Sequence, residues 1–500
     1  LFSDRLRFAT AGLRAALGPG PKCMNRLTVS QTSKGLADFL NKNREQYLDD
    51  ESGLSIVIGY DGRKNSKIFA KDSAEIMAAE GIKVYLFDQA IPTPVVAFTS
   101  KNLSCSAAVV VTASHNPPAD NGYKVYLGGE TGHSQITPPQ DSGIADAIAS
   151  VTEINPANRS SDYQLIGNQH IDKYLERAEQ LVDSVGESDL KIVHTAMHGV
   201  GWGLAEKVLN QAGFGHLFPV EEQMHPDGDF PTVDFPNPEE PGAMDLALEK
   251  AREVNADLIL ANDPDADRLA VGVQHDGEFS MLSGNQLGIL LADHIARSHN
   301  FGTLAASYVS STQITKLAKF YGLNHELTAT GFKWISKVEN LVFGFEEALG
   351  YCVDPHFTAD KDGLTAALLV SSIANQLSSE GLSLIDRLNE ISQLTGFYET
   401  DQISLRLESN QKVAQTVSII RASGELEVDG KTIQITDLSI TDPRLDMLEI
   451  RFDENSKALI RASGTEPKLK CYLEVQADDR ESAVIGLEKL KTIKQYEVLG

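Results

Sequence analysis

The segment AAVVVTASHNPP, residues 107–118, decides the fold most directly. Its first five residues form a short apolar run typical of a buried strand, and Pro117 and Pro118 close the loop that follows. Similar apolar strands alternate with helical patterns through most of the chain, for example a strand at 55–59 and a helix at 66–80. This alternation predicts an α/β fold with mixed but largely parallel sheets, whose ligands bind beyond the carboxyl ends of the strands.

The C-terminal part of the chain follows a different pattern. Short strands with intervening helices predict an α+β unit there, at 403–407, 425–428, 432–435, 447–452 and 457–461 for the strands. Polar or proline-rich stretches predict the domain boundaries. The predicted domains are three α/β domains, residues 1–158, 159–281 and 282–396, and a smaller α+β domain, residues 397–500.

Composition narrows the possible partners. The 500 residues include 44 Lys and Arg against 70 Asp and Glu, which gives a formal net charge of -26. This acidity argues against nucleic acid and against an anionic membrane surface as partners, because both require a basic face. No apolar run reaches the roughly 18–20 residues that span a bilayer. The four cysteines are widely separated and form no C-x-x-C pair, which favours reduced thiols in a cytoplasmic protein.

The loop Thr112–Pro117 follows the strand at 107–111 and is the first candidate for chemistry. Ser114, followed by His115, is well placed to act as a nucleophile or a phosphate carrier. The structural alternative is a solvated turn, because Ser, Asn and Pro are common turn residues. The segment Asp120–Lys124 is predicted to be a turn that returns Lys124 to the same region, although a single lysine is usually solvated.

Three aspartates alternate in a loop after the strand at 258–260. In an extended segment, Asp263, Asp265 and Asp267 would point to one side. Carboxylates at this density repel one another unless a cation neutralises them, and oxygen-only ligands suit Mg²⁺, or else Mn²⁺ or Ca²⁺. An EF-hand is excluded because Arg268 and Gln274 replace the required Gly and Glu. The structural alternative is an acidic turn with capping aspartates.

A pair of glutamates lies in the predicted loop Gly344–Gly350, which is followed by Asp360–Gly363. Glu346 and Glu347 are able to accept hydrogen bonds from sugar hydroxyls. Considered alone the signal is weak, because glutamates between glycines lie more often on the surface. Sugar binding and ordinary surface exposure therefore both remain open for this segment.

A glycine-containing loop, RASGTEP at residues 461–467, follows a strand of the C-terminal unit. Ser463, Gly464 and Thr465 offer hydroxyl groups and backbone N–H groups that a ligand can approach closely, and Arg461 adds a bidentate donor. This combination suits a phosphate dianion. An ordinary glycine turn explains the same residues equally well when they are considered in isolation.

Taken together, the chain resembles the α-D-phosphohexomutase superfamily of phosphoglucomutases and phosphomannomutases, and its phosphoglucomutase-2-like branch in particular. The matching motifs occur in family order over nearly the whole chain: TAGLR (10–14), GYDGR (59–63), TASHNP (112–117), TAMHG (195–199), DPDADR (263–268), GFKWI (331–335), GFEEALGY (344–351), DKDG (360–363) and RASGTEP (461–467). The resemblance implies three α/β domains and a smaller C-terminal domain around a central cleft.

The resemblance also implies roles for individual residues. It makes Ser114 the phosphate carrier, which with Asp263, Asp265 and Asp267 holds one Mg²⁺ per chain. It places four further residues at the reaction centre: Arg14, His115, Lys124 and Arg268. It assigns substrate binding to Gly331, Lys333, Glu346, Lys361, Arg461, Ser463, Gly464 and Thr465. Departures from the family pattern are Ala9 and Ala15 where many relatives have Gly, and Ala348 where many have Ser.

The function implied is interconversion of hexose 1-phosphate and hexose 6-phosphate, for glucose or mannose or both. The reaction would use a phosphoserine enzyme and a sugar 1,6-bisphosphate as intermediate and activator. The alternatives are a phosphopentomutase, a sugar-bisphosphate synthase, a metal-dependent sugar phosphatase and a non-catalytic sugar-phosphate sensor. The partners expected are small sugar phosphates, and the chain is expected to be a monomer or a homodimer. Lys124 and His115 both remain candidates for the general base.

Overall fold

The computed structural model describes most of the chain, namely residues 5–8, 12–48, 53–155, 157–183, 186–428, 431–463 and 467–492. Ala9, Gly464 and Thr465, which carry predictions above, lie outside the described residues. Four β-sheets follow one another along the described residues. Three of them belong to α/β units and the fourth to the C-terminal α+β unit, which confirms the predicted architecture.

The first sheet mixes parallel and antiparallel strands in the order β1-β5-β4-β2-β3-β7, with β6 added to β5. Its strands are β1 (Leu13–Ala16), β2 (Ser55–Tyr60), β3 (Lys83–Phe87), β4 (Ala107–Val111), β5 (Asp120–Leu127), β6 (Ser134–Gln135) and β7 (Gln164–Ile166). Its helices are α1 (Arg26–Lys42), α2 (Ser66–Ala79), α3 (Thr93–Asn102) and α4 (Gln140–Ser150). Every residue of β2 and β4 is buried, as expected for parallel strands covered by helices on both faces.

Strand β5 corrects one prediction. Asp120–Lys124, expected to be a turn, is the start of β5, which pairs antiparallel with β4 and with β1. A Cβ on Gly122 would lie 2.5 Å from the carbonyl oxygen of Thr112, so this glycine allows a close approach of neighbouring backbones.

Strand β7 lies beyond residue 158, the predicted end of the first domain, and yet it pairs with β3 in the first sheet.

The second sheet has the order β12-β11-β10-β8-β9. Its strands are β8 (Ile192–Thr195), β9 (Leu217–Pro219), β10 (Leu258–Asn262), β11 (Leu269–His275) and β12 (Glu278–Met281). Its helices are α5 (Asn168–Glu179), α6 (Trp202–Gln211) and α7 (Asp245–Val254). Strand β8 is parallel to β9 and β10, whereas β10, β11 and β12 are antiparallel to one another in succession. The aspartate loop therefore connects two adjacent antiparallel strands.

The third sheet has the order β14-β13-β15-β16. Its strands are β13 (Thr303–Ser307), β14 (Asn324–Thr328), β15 (Leu341–Glu346) and β16 (Gly350–Cys352). Its helices are α8 (Gly284–Arg297), α9 (Gln313–Tyr321), α10 (Phe332–Ile335), α11 (Gly363–Ser379) and α12 (Leu384–Thr395). Glu346, expected in a loop, is the last residue of β15, and its backbone is paired with Gly350. This pairing leaves its side chain less freedom than a loop would.

The fourth sheet is antiparallel throughout, in the order β17-β22-β21-β20-β19-β18. Its strands are β17 (Phe397–Arg406), β18 (Glu425–Val428), β19 (Lys431–Asp437), β20 (Leu448–Arg451), β21 (Ser456–Ala462) and β22 (Lys468–Ala477), and its helices are α13 (Asn410–Ser423) and α14 (Arg480–Thr492). Strand β22 was not predicted, although its buried residues Leu469, Cys471, Leu473 and Val475 alternate with the period of a strand.

The hydrophobic cores show how the units are joined. One large cluster runs through the first three units and includes Phe98, Leu204, Leu290 and Leu368. The C-terminal unit has a core of its own, and a smaller cluster in which Val309 and Ala329 pack against Leu438, Leu445 and Met447 attaches it to the third unit. The first three units are therefore one packed body. Among the described residues, no helix is both long and apolar enough to cross a membrane.

Gly363 offers a test of the packing between α11 and the aspartate loop. A Cβ at this position would lie 2.3 Å from the carbonyl oxygen of Arg268 and 2.6 Å from Nδ2 of Asn262. We expect Gly363→Ala to destabilise the protein by about 1–3 kcal/mol through overpacking, although alanine favours helices. The matched control is Gly203→Ala in α6, where no atom lies within 4 Å and stability should be unchanged or higher. Thermal unfolding measures both; a Gly363→Ala protein that melts at or above the wild-type temperature contradicts the expectation.

Candidate active site

The three aspartates of the predicted metal site converge at the end of β10. One carboxylate oxygen from each of Asp263, Asp265 and Asp267 lies within 4.8 Å of the others, and all three residues are buried. The convergence does not come from strand-like alternation as the sequence suggested, because the segment is a turn in which Ala266 has a φ of 54°. A left-handed residue inside the loop reverses the chain and brings the side chains to one point.

The donor set fits a hard divalent cation. Burial raises the pKa of Asp263, and the neighbouring carboxylates of Asp265 and Asp267 raise it further. Oδ1 of Asp265 and Oδ1 of Asp267 are buried and accept no hydrogen bond from the residues that the structure describes. Unpartnered buried carboxylate oxygens that repel one another are the ligands that Mg²⁺ neutralises.

Two lysines from other units reach the same carboxylates. Nζ of Lys124, on β5, donates to Oδ2 of Asp265 at 2.6 Å and to Oδ2 of Asp267 at 2.7 Å. Nζ of Lys361, before α11, lies 3.5 Å from Oδ2 of Asp267. Burial alone would raise the pKa of Asp267, but the ammonium groups of Lys124 and Lys361 outweigh it and hold this pKa below its usual range. The aspartate loop is therefore surrounded by cations from the first and third units.

Ser114 lies directly beside the aspartates. Its Oγ donates to Oδ2 of Asp263 at 2.6 Å, and its backbone N–H donates to Oγ1 of Thr112 at 2.9 Å. Ser114 has a φ of 50°, in the left-handed region that non-glycine residues rarely adopt. A strained backbone at the end of β4 is thus what presents the serine hydroxyl to the second unit.

His115 shares this environment. Its Nδ1 lies 3.2 Å from Oγ of Ser114. Burial lowers the pKa of His115 well below its usual value, and the guanidinium groups of Arg268 and Arg14 lower it further. The imidazole is therefore neutral at physiological pH. The pKa of Lys124, by contrast, is raised because the carboxylates of Asp265 and Asp267 outweigh the effect of burial.

The two arginines of the predicted reaction centre connect the loops. Arg14, on β1, donates from Nη1 to Oδ1 of Asn116 at 3.0 Å. Arg268 donates from its backbone N–H to Oδ1 of Asp263 at 3.0 Å and from Nη1 to the carbonyl oxygen of Ala348 at 2.6 Å. Arg268, which ends the aspartate loop, therefore links this loop to residues 344–350, the segment that contains Glu346 and Glu347.

Glu346 and Lys361 form the third-unit side of the site. Glu346 is buried, and Oε1 of Glu346 lies 3.8 Å from Nζ of Lys361. Nζ of Lys361 also lies 5.5 Å from the ring centre of Phe332, which directly follows Gly331 with its φ of 110°. Nζ of Lys333 lies 5.5 Å from the ring centre of Trp334. Burial lowers the pKa of Lys333, and the carboxylate of Asp141 in the first unit offsets this effect only in part.

The C-terminal unit carries Arg461 and Ser463, two residues of the predicted phosphate loop. Arg461 is the penultimate residue of β21, and the backbone N–H of Ser463 donates to the carbonyl oxygen of Lys468 at 2.9 Å. Burial lowers the pKa of Lys470, on β22, and both Arg461 and Arg268 contribute in the same direction. Lys470 thus lies within electrostatic range of Arg461, in the predicted phosphate loop, and of Arg268, which ends the aspartate loop. Gly464 and Thr465 lie outside the described residues.

Sequence reasoning overlooked two residues that shape this site. Thr93, the first residue of α3, donates from Oγ1 to Oδ2 of Asp265 at 2.7 Å, and its backbone N–H donates to the carbonyl oxygen of Asp265 at 3.0 Å. Arg63 was quoted within the GYDGR motif and given no role, yet its guanidinium group contacts the backbone of the serine loop. The position of Arg63 after β2, which pairs with β4, is the sequence feature that could have indicated its role. No feature of the sequence around Thr93 indicates that it contacts Asp265.

Comparison with known protein families gives matches along most of the chain. Four family models match in succession, described as phosphoglucomutase/phosphomannomutase alpha/beta/alpha domains I, II and III and the C-terminal domain. The matched residues are 5–155, 170–277, 283–393 and 403–485. Together these matches cover most of the chain, in the order in which the four sheets occur.

Two curated relatives and one solved structure extend the comparison. The chain is 44% identical to a probable phosphomannomutase of Haemophilus influenzae over 92% of this chain and 94% of the relative. It is 35% identical to a phosphopentomutase of Pongo abelii over 98% of this chain and 88% of the relative. The crystal structure of a putative phosphomannomutase from Thermus thermophilus is similar in fold, with a TM-score of 0.74 at 22% identity, covering 99% of this chain and all of that one.

The family matches, the order of the four units and the identity to curated relatives agree with one another. The chain belongs to the phosphoglucomutase/phosphomannomutase family.

Proposed function

We propose that the protein is a phosphohexomutase that interconverts hexose 1-phosphate and hexose 6-phosphate, with glucose or mannose as the sugar. The observation that carries this proposal is the 2.6 Å hydrogen bond between Oγ of Ser114 and Oδ2 of Asp263. It places a serine hydroxyl against a buried carboxylate cluster suited to a divalent cation, where phosphoryl transfer to and from the serine requires positioning and charge stabilisation.

Ser114 carries the phosphoryl group in this proposal. It donates the group to the free hydroxyl of a hexose phosphate and takes the other phosphate back from the resulting sugar 1,6-bisphosphate. Asp263, Asp265 and Asp267 would hold Mg²⁺, which when bound would neutralise charge on the transferring group. Arg268 and Arg14 lie beside the serine loop and stabilise the charge that develops on the equatorial oxygens.

His115 is the candidate for proton exchange with the seryl oxygen. Its Nδ1 lies 3.2 Å from Oγ of Ser114, which is within reach for proton transfer. The ammonium group of Lys124 is bound to two carboxylates, and its pKa is raised. Lys124 therefore acts as a fixed positive charge that holds the aspartates and the transferring phosphoryl group in place.

The remaining predicted residues hold the sugar phosphate for each half-reaction. Arg461, Ser463, Gly464 and Thr465 bind the phosphate that is not reacting, and Lys333 and Gly331 complete the binding surface. Glu346 binds sugar hydroxyls; burial raises the pKa of its carboxyl group, and Lys361 and Arg268 oppose this rise. The bisphosphate must turn over within the cleft, because its loss would leave Ser114 without the phosphoryl group that the next cycle requires.

The sugar phosphate class is the finer part of the proposal. The relative with the higher identity is named a probable phosphomannomutase, whereas phosphopentomutases match at about a third identity over nearly the whole chain, so a pentose phosphate is the second candidate. Parallel assays with glucose 1-phosphate, mannose 1-phosphate and ribose 1-phosphate distinguish these candidate substrates. A metal-dependent phosphatase would instead release inorganic phosphate without an isomerised product. The proposal includes a monomer or homodimer in the cytoplasm.

The serine is tested by Ser114→Ala. We expect turnover of glucose 1-phosphate to fall by on the order of 10⁴-fold or more, because the group that carries the phosphoryl is lost. The intact mass of the wild-type protein should include the ~80 Da increment expected of a phosphoserine, and the mass of the variant should lack it. The control is Ser73→Ala, a buried serine of α2 that bonds to Ser33 away from the site. Turnover at the wild-type rate in Ser114→Ala would refute the assignment.

The metal site is tested by Asp265→Asn, which keeps the shape of the side chain and removes one negative charge. We expect the Mg²⁺ concentration for half-maximal activity to rise at least ~10-fold, and calorimetric Mg²⁺ binding without substrate to weaken in parallel. Asp293→Asn is the control, since Asp293 is buried against Arg387 and Arg297 and lies outside the site. If the two variants titrate identically, the three aspartates do not hold the metal.

The phosphate loop is tested by Arg461→Ala. Removing one charge-assisted contact to a phosphate dianion should raise KM for glucose 1-phosphate about 10- to 100-fold. The melting temperature should change little, because Arg461 is bonded in the described residues only to the carbonyl oxygen of Ala462. The control is Arg451→Ala on the adjacent strand β20, where the arginine pairs with Glu449. An unchanged KM in Arg461→Ala would remove this loop from the substrate site.

A further inference from the structure

Arg63 is the buried cation closest to the backbone of the serine loop. It follows β2 after Asp61 and Gly62, and its side chain is 1% exposed. Because β2 is parallel to β4, the carboxyl ends of both strands lie at one edge of the sheet. Arg63, which follows β2, therefore lies next to the serine loop, which follows β4. Its guanidinium group donates hydrogen bonds to peptide carbonyl groups of the serine loop and not to Asp263, Asp265 or Asp267.

Four carbonyl oxygens of the loop accept hydrogen bonds from this one group. Nη2 donates to the carbonyl oxygens of Ser114 at 2.6 Å and Asn116 at 2.5 Å. Nη1 donates to the carbonyl oxygens of Pro117 at 2.9 Å and Asp120 at 3.2 Å. A planar guanidinium group with several fixed donors matches such a set of acceptors, whereas the single ammonium group of a lysine does not.

The arginine is itself held from two sides. The carboxylate of Asp61 accepts hydrogen bonds from the backbone N–H of Arg63 at 3.0 Å and from Oγ of Ser66 at 2.7 Å, and its second oxygen lies 3.5 Å from Nε of Arg63. From the second unit, the ring of Phe230 lies 4.8 Å from the guanidinium carbon. The cation is therefore fixed between a carboxylate of the first unit and an aromatic face of the second.

We infer that Arg63 is a positioning residue of the phosphoryl-transfer reaction, which holds Ser114 in its left-handed conformation by binding the carbonyl oxygens of residues 114–120. A serine at positive φ needs an external restraint, because relaxation to negative φ would turn its Oγ away from Asp263. Arg63 supplies that restraint without contacting the substrate. The inference rests on the proposed function for its kinetic consequence, and its structural part stands independently.

The test compares Arg63→Lys and Arg63→Ala with the wild-type enzyme, using glucose 1-phosphate and Mg²⁺. We expect kcat to fall about 100-fold in both variants and KM to change by less than about threefold, since misplacement by an ångström has that cost and the substrate contacts remain. Adding guanidinium chloride at low concentration, against an equal concentration of sodium chloride, should restore part of the kcat of Arg63→Ala but not that of Arg63→Lys.

The matched control is Arg177→Ala. Arg177 likewise pairs with a carboxylate, Asp354, and lies 3.9 Å from the ring centre of Phe357, but its contacts lie outside the serine loop. Its variant should lose thermal stability and keep its kcat. If Arg63→Lys retains the wild-type kcat, or if its loss of kcat is matched by Arg177→Ala at equal loss of stability, the inference is wrong.

A measurement that needs no turnover separates this inference from the proposed function. Hydrogen exchange followed by mass spectrometry reports directly on the loop at residues 112–120. Exchange in this segment should be faster in Arg63→Lys than in the wild type and in Arg177→Ala, with the strands of the first sheet unchanged. Unaltered exchange of the loop overturns the positioning role, whether or not glucose 1-phosphate proves to be a substrate.

Discussion

The repulsion among three buried carboxylates is the constraint around which the molecule is built. Asp263, Asp265 and Asp267 have oxygens within 4.8 Å of one another in a site without exposure to bulk water, where charges interact strongly. Such a cluster exists only if other groups supply compensating charge. In this protein the compensation comes from separate units: Lys124 from the first and Lys361 from the third, with Arg268 at the end of the loop itself.

This requirement explains why the loops meet where they do. Parallel strands at the centre of each of the first three sheets send their carboxyl-terminal loops to one side, and the shared hydrophobic core fixes those sheets relative to one another. The serine loop then reaches the aspartates through a single hydrogen bond of 2.6 Å from Ser114. The C-terminal unit has its own core and a smaller contact to the third unit, and it brings Lys470 within electrostatic range of Arg268.

Local patterns predicted much of the secondary structure, because buried parallel strands are short apolar runs that loops interrupt clearly. The strands at Lys83–Phe87 and Ala107–Val111 and the helix at Arg480–Thr492 have the predicted bounds. The prediction failed at Asp120–Lys124, where an Asn-Gly pair typical of turns lies inside β5. Gly122 serves there to let two backbones approach, a demand that only the neighbouring strand creates.

By itself the sequence determined the α/β architecture and predicted the candidate site residues, because strand periodicity and loop composition are local properties. Only the tertiary structure decided which groups compensate which charges. Nothing in the sequence near Asp265 indicates that Thr93 and Lys124 bind it, or that Arg63 binds the carbonyl oxygens of the serine loop. These contacts join residues about 50 to 170 positions apart, and their geometry follows from how the sheets pack.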